Sequence, residues 1–310
     1  MNGKRPYKLP EPLLCSADKE INMVLVDEYI RKHEERMQRY SYLENLYKGF
    51  HDVFRLPEKE KWKPDNRLAV NFPRYITETF LGYAYGIPIK KSHPDANIKD
   101  AILEFDRDND ISDQEYELAK KCCIYGHAFE YFYQDEEAKT KTVICNPKEL
   151  FVVYDDTVKN RALFAVRYGK RDDNVTRYGE ILTRTEIIPF EGEKMQESAP
   201  NPYGRINCVE YLLNDERIGL YEEVAGMIEV YNRVIGEKAN DVDSFAEAYL
   251  AVLGAELDEE GVYKIRDNRI INLYGTDNRE GYYRAVSWQA TADGTQENLL
   301  DRLENLIYQT

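Results

Sequence analysis

The sequence predicts an α+β fold: a domain of helices and antiparallel sheet, a long protruding helix, and a small α/β lobe at its tip. Three observations predict it. Helical patterns between Met23 and Gly126 give way at Ala128 to alternation, with Phe129, Tyr131 and Tyr133 on one face. Gly219–Tyr249 then reads as one uninterrupted helix of roughly thirty residues, about 45 Å long at 1.5 Å per residue. After a short strand-like stretch, a second helical pattern begins at Thr295.

Residues 1–22 hold three prolines and no periodicity, and are expected to form an extended arm. Met23–Lys48 reads as a helix with Val26, Ile30, Met37, Tyr40, Leu43 and Tyr47 on one face, closed by Gly49. Residues 57–66 form a charged loop. A helix starting at Pro73 runs to Tyr85, where Gly86 and Pro88 stop it. Ile98, Ile102 and Phe105 mark a third helix. Ser112 with Glu115 reads as the capping box of a fourth, with Ile111 and Tyr116 as its hydrophobic staple, and Gly126 ends it. Strand pieces at 128–133, 140–145, 151–154, 163–168 and on to Phe190 read as an antiparallel meander, and 191–205 as a loop or boundary.

In the long helix, Leu220, Val224, Met227, Tyr231, Val234, Lys238, Val242, Phe245 and Tyr249 form a stripe with one polar member. A helix this long for its domain is expected to have that stripe covered by neighbouring chains.

The chain has 310 residues, 42 Lys and Arg against 57 Asp and Glu, and a net charge of -15. That balance argues against gripping nucleic acid, since duplex affinity comes largely from neutralising phosphates. It suits a surface that DNA slides past. No apolar run approaches the roughly eighteen residues of a membrane span, so no membrane partner is expected. The start Met1-Asn2-Gly3-Lys4-Arg5-Pro6 has no signal-peptide core, so synthesis in the cytoplasm is expected. Five cysteines without CxxC spacing argue against a disulfide framework or a zinc ribbon. The 25 tyrosines suit surfaces buried on assembly.

Catalytic signatures are missing. There is no phosphate loop, no nucleophile elbow and no His-Glu-x-x-His; His33-Glu34-Glu35 is followed by Met37 at the position of the second histidine. Asp106, Asp108 and Asp110 with Glu117 imitate a calcium loop, but its sixth position is Ile111 where glycine is needed, so a solvated acidic turn is expected. Cys122, Cys123, His127 and Cys145 read as core side chains, because adjacent helical cysteines do not face one ion. Asp241 and Asp243 point about 200° apart on a helix and do not share a metal without outside ligands. Glutamates interrupt the basic-aromatic run Lys59-x-Lys61-Trp62-Lys63, which reads as a surface loop. No cofactor is expected.

Several motifs in order resemble one family. Asn71-Phe72-Pro73 and Gly82-Tyr83-x-Tyr85-Gly86-Ile87-Pro88-Ile89 are followed by residues 126–133 (Gly-His-Ala-Phe-Glu-Tyr-Phe-Tyr). Asn146-Pro147-Lys148-Glu149, Val152-Val153-Tyr154-Asp155 and residues 240–246 complete the set. Together they resemble the portal proteins, or head-tail connectors, of tailed bacteriophages. The resemblance implies a structural, non-enzymatic ring of about twelve copies at one capsid vertex of the virion, made in the bacterial host cytoplasm. Double-stranded DNA passes through it non-specifically in packaging and ejection. The implied partners are the terminase large subunit, head-completion or adaptor proteins, and the major capsid and scaffolding proteins. Residues 23–218 would be the wing, 219–247 the first stem helix, 248–294 the clip and 295–310 the start of a second stem helix.

The resemblance also assigns candidate residues. Glu222, Glu229, Arg233, Glu237, Lys238 and Asp241 are expected to line a channel or pair between subunits. Glu256, Asp258, Glu259, Arg266 and Arg269 are expected to face the terminase, and Tyr249–Leu253 and Arg269–Tyr274 to pair between subunits. Members of the family continue into a tunnel loop and crown, so the chain is expected to be truncated at Thr310. Two other readings compete: a metal-dependent phosphodiesterase or nuclease using carboxylates such as Asp108 and Asp241, and a non-ring phage adaptor or scaffold. The adaptor reading predicts a 219–249 helix folded back on its own domain.

Overall fold

A computed structural model of the chain describes residues 7–61, 63–173, 175–246, 251–253, 284–286 and 294–309. Its helices are α1 (Met23–Glu34), α2 (Met37–Lys48), α3 (Phe72–Ala84), α4 (Ala96–Asp108), α5 (Ile111–Tyr125), α6 (Ala225–Ala246) and α7 (Gly294–Gln309).

The expected single meander is two facing sheets. One runs in the order β1 (Leu13–Cys15), β4 (Leu150–Asp155), β5 (Ala162–Lys170), β6 (Arg177–Leu182), β7 (Glu186–Glu191), β8 (Lys194–Met195), with β9 (Ala199–Pro200) also on β7. The other is β10 (Cys208–Leu212), β2 (His127–Gln134), β3 (Thr140–Cys145). β4 and the centre of β5 are buried on both faces, which explains the continuous apolar run Leu150–Val153. Phe164 and Val166 point to α1, where they meet Val26, Tyr29 and Ile30. Ala165 and Leu182 point the other way, to Phe129 and Tyr131 of the second sheet. The period of two places successive residues in different cores.

The N-terminal arm is not a free extension. Leu13–Cys15 adds in parallel to β4, with Leu13 and Cys15 buried, and covers what would otherwise be an open sheet edge. Tyr29 Oη donates to Leu14 O at 2.5 Å, and Arg36 Nη2 to Glu11 O at 2.5 Å.

The helix expected over Met23–Lys48 is two. Glu35 and Arg36 keep right-handed backbone angles, but Arg36 N bonds His33 O at 2.9 Å, a three-residue step that tightens the chain into a kink. The kink lets α1 serve the sheet core and α2 the helical core of Tyr40, Leu43 and Leu46. Gly49 closes α2 at φ 85° as its sequence position indicates.

Asn71 caps α3, accepting from Arg74 N at 3.1 Å. The capping box at Ser112 is not formed: α5 begins at Ile111, capped by Asp110 at φ 48° without a side-chain bond. Nor is there an acidic turn at 106–110. Asp106 and Asp108 belong to α4, and Lys91 bridges Asp106 at 2.9 Å and Glu115 at 3.1 Å. Gly126 ends α5 at φ 85°, where a Cβ would lie 2.0 Å from Arg217 O. All five cysteines are free and buried.

The largest correction concerns the long helix. Residues 219–224 are turns laid across the end of α5, with Leu220 N bonding Cys123 O at 2.7 Å, and the described helix is the 22 residues of α6, about 33 Å. Of its apolar stripe Val224 and Tyr231 are buried within the chain, Leu220, Met227 and Val234 are half-buried, and Val242 is exposed. Tyr221, Val224, Ala225, Ile228 and Tyr231 join α2, Phe72 and α7's Ile307 in one core, with Leu300 and Leu303 packed against it.

A candidate assembly surface

The base of α6 is fastened by charge. Arg39 and Glu222 are both buried, and Arg39 Nε donates to Glu222 Oε1 at 2.8 Å while Nη2 donates to Oε2. Further guanidinium donors reach Tyr125 O at 3.1 Å and Arg217 O at 2.8 Å, and Glu222 Oε2 accepts from Gly219 N at 2.9 Å. Both carboxylate oxygens and four of the five guanidinium N–H groups are therefore bonded, which is what makes burial of two charges tolerable. Glu222, expected on the channel or subunit side of the stem, is thus buried inside its own chain.

A second buried cluster lies beside it. Glu210 takes Nε and Nη2 of Arg217, each at 2.9 Å, His127 Nδ1 at 2.7 Å, and the Tyr154 hydroxyl. Burial pushes the Glu210 pKa up, but bonds from His127 and Arg217 outweigh it and hold the carboxyl well below its usual range. Burial also lowers the pKa of His127, whose Nε2 meets Tyr40 Oη at 2.9 Å; a neutral ring protonated at Nδ1 satisfies both contacts. His33 bonds Pro147 O at 2.8 Å and Tyr168 Oη at 3.0 Å, and burial pushes its pKa down to about 3.

Residues 51–70 run along α6 and brace it. Glu229 accepts from His51 Nδ1 at 3.3 Å and Asp52 N at 3.1 Å; Asn232 Oδ1 accepts from Val70 N at 2.8 Å. Lys59 pairs with Glu237 at 2.7 Å, and Asn240 Oδ1 accepts from Asn66 N at 2.6 Å. At Gly236 a Cβ would sit 3.1 Å from Asn66 O, so glycine allows the close approach. A cavity of about 220 Å³ remains between brace and helix, lined in part by Val53, Leu56, Arg67 and Arg233. On the other side Lys238 meets α7's Glu297 at 2.7 Å, and Phe72 packs edge-on against Tyr231 and Tyr308.

The six stem candidates thus separate. Glu222, Glu229, Glu237 and Lys238 have partners inside the chain, whereas Arg233 and Asp241 are exposed with no ion-pair partner among the described residues. Asp243 accepts from Asn66 Nδ2. Glu256, Asp258, Glu259, Arg266, Arg269 and the stretch Arg269–Tyr274 lie outside the described residues. Of Tyr249–Leu253, Ala251–Leu253 is described as β11, paired antiparallel within the chain to β12 (Arg284–Val286). Asp108 and Asp241, the carboxylates of the nuclease reading, stand on different helices, and no group of three His, Cys, Asp or Glu among the described residues is placed to hold a metal ion. Among the described residues no helix is long and apolar enough to cross a membrane.

Arg39, His33, His51 and Lys59 were not singled out by pattern as partners of these sites. Their partners are 114 to 183 residues away, and no local signal marks them.

Comparison with known proteins bears on this surface. A family model described as "Phage portal protein, SPP1 Gp6-like" matches residues 26–310. The portal protein of Bacillus phage SPP1 is 20% identical over 324 residues, covering 96% of this chain and 63% of that protein. The chain therefore spans less than two thirds of that relative's length. Two solved structures show weaker likeness. One is the neck of an empty GTA particle computed with C6 symmetry (TM-score 0.47, 10% identity, 76% of this chain and 63% of that chain). The other is the virion of a native gene transfer agent particle (TM-score 0.45, 8% identity, 76% and 62%).

Proposed function

The chain belongs to the phage portal protein family of the SPP1 Gp6-like type, and on that premise we propose that it builds a homo-oligomeric ring at one capsid vertex. Double-stranded DNA passes through that ring during packaging and ejection, and the ring docks the terminase and the head-tail joining proteins. The family match over residues 26–310 carries this reading. Residues 23–218 are the wing, the stem helix begins at Ala225 after the anchored turn, 248–294 form the clip, and α7 starts the returning stem helix. A net charge of -15 supports a passage without adhesive minima for the DNA backbone. Arg233 and Asp241, exposed on α6 and without an ion-pair partner among the described residues, are the stem residues that line the channel or bond a neighbour. The role is structural, without catalysis.

One observation favours a second reading, a non-ring phage adaptor or scaffold: Ile228 and Tyr231 of α6 are packed inside their own chain. Electron microscopy and native mass spectrometry of the purified chain separate the two. A closed ring with a central hole wide enough for a duplex is expected; discrete monomers or dimers overturn the portal reading in favour of the adaptor.

A further inference from the structure

Helix α4 is amphipathic, yet none of its thirteen residues is buried. The lobe it shares with the end of α3 leaves Phe80, Tyr83, Ile87, Ile89, Ile98 and Leu103 exposed, Tyr83 to 93% and Ile87 to 78%. Large apolar side chains exposed together in one part of the chain mark an interaction surface, unlike single ones scattered over a surface. The lobe is also strongly acidic: residues 95–117 carry nine Asp and Glu against two Lys and Arg.

A second apolar patch lies at the other end of α3. Phe50, Phe54, Leu68 and Val70 are exposed, and Arg67 Nη1 ties the two halves by donating to Phe54 O at 3.2 Å. Residues 50–70 reverse the chain's acidic balance, with five Lys and Arg against four Asp and Glu. The patches are thus separated by α3, whose thirteen residues span about 20 Å. Two different patches, one acidic and one with a basic excess, are what a front-to-back contact requires. A two-fold contact would use one self-complementary patch.

We propose that the α3–α4 lobe of one copy docks on the 50–70 segment of the next copy. This rests on the ring reading and assigns its contact. Tyr83 and Ile87 insert among Phe50, Phe54, Leu68 and Val70, while the acidic rim of α4 meets Lys61, the base of the segment that has no ion pair among the described residues; Arg55, Lys59, Lys63 and Arg67 are paired with Asp52, Glu237, Glu60 and Asp65. The segment also braces α6, so the same contact links each neighbour's lobe to the position of the stem helix.

The test uses the full chain. Its assembly is weighed by native mass spectrometry and light scattering, beside a Tyr83→Asp/Ile87→Asp variant. A third sample carries the photo-cross-linker p-benzoylphenylalanine at position 83, mixed with isotope-labelled chain so that links between copies are identified. Both replaced side chains are solvent-exposed, so circular dichroism and melting should be unchanged. Expected are at least tenfold weaker association of the variant and intermolecular links to residues 50–70. If the unsubstituted chain forms rings but the variant assembles equally well, or the links fall elsewhere or within one chain, the docking contact is wrong and the ring reading stands. An unsubstituted chain that stays monomeric at every concentration overturns both.

Discussion

Arg39 and Glu222 are 183 residues apart and form a two-pronged ion pair with both side chains sealed from solvent. The pair joins the kinked helix after the arm to the turn that launches α6. It settles where the long helix begins, because Glu222 also holds Gly219 N and the chain is not free to be helical before Ala225.

Removing one partner leaves a buried charge alone. Arg39→Met or Glu222→Leu alone is expected to cost about 3–5 kcal/mol, and the Arg39→Met/Glu222→Leu double variant much less than the sum. Urea denaturation of the four proteins in a double-mutant cycle measures this. Additive losses would show that the pair does not act as a unit.

The buried residues at the start of α6 are expected to stabilise the single chain. Ile228→Ala should lower unfolding free energy by about 2–5 kcal/mol, whereas Val242→Ala, at an exposed position, should leave it nearly unchanged. Thermal unfolding at a concentration where the protein is monomeric distinguishes this from coverage by neighbours, which predicts no loss for Ile228→Ala there.

Buried His33 makes stability depend on pH. Its folded pKa, pushed down to about 3 by burial, lies below the ordinary 6.5, so the unfolded chain binds the proton first as pH falls. The contribution is complete above about pH 6.5 and declines by about 1.4 kcal/mol per pH unit below it, until roughly pH 3. His127 acts in the same direction. Urea melts between pH 7.5 and 5, above the main carboxylate range, should show a slope that His33→Gln reduces by one proton's worth. An unaltered slope would exclude His33 as its source.

Gly126→Ala should be far worse than Gly192→Ala. Both positions have positive φ, 85° and 60°, which alone costs about 1 kcal/mol, but only at 126 does a Cβ meet backbone, with Arg217 O at 2.0 Å. Comparing soluble yield and melting temperature checks it; equal effects would mean that the 217–219 turn yields readily.

Asn232→Ala removes the acceptor of Val70 N at a fully buried position and should cost about 1–3 kcal/mol. Hydrogen exchange at Val70 is the direct readout, expected to accelerate. Unchanged protection would show that the brace is held without this bond.

Local signals were legible where they act locally. Gly49 and Gly126 end helices, Asn71 and Pro73 open one, and the change of period after Gly126 marks the first long strand, because caps and periodicity depend on residues within a turn of each other. Ser112 misled, since Asp110 stops the preceding helix two residues earlier and starts the next without a side-chain cap. The kink at Glu35–Arg36 has no proline or glycine to announce it, and arises from packing on two different cores. Of the candidate stem residues, nothing in the local sequence separates Glu222, buried against Arg39 before α6 begins, from Arg233, exposed on α6.

By itself the sequence determined the α+β class, most helix ends, the acidic surface and the ordered motifs of the family, all readable from neighbours along the chain. Only the tertiary structure decided that the strands split into two sheets, that the arm closes an edge, and that α6 starts at Ala225 with half its stripe already covered. Those outcomes depend on which distant side chains meet. Burying a charge or an apolar face is favourable only once its partner, up to 183 residues away, is in place.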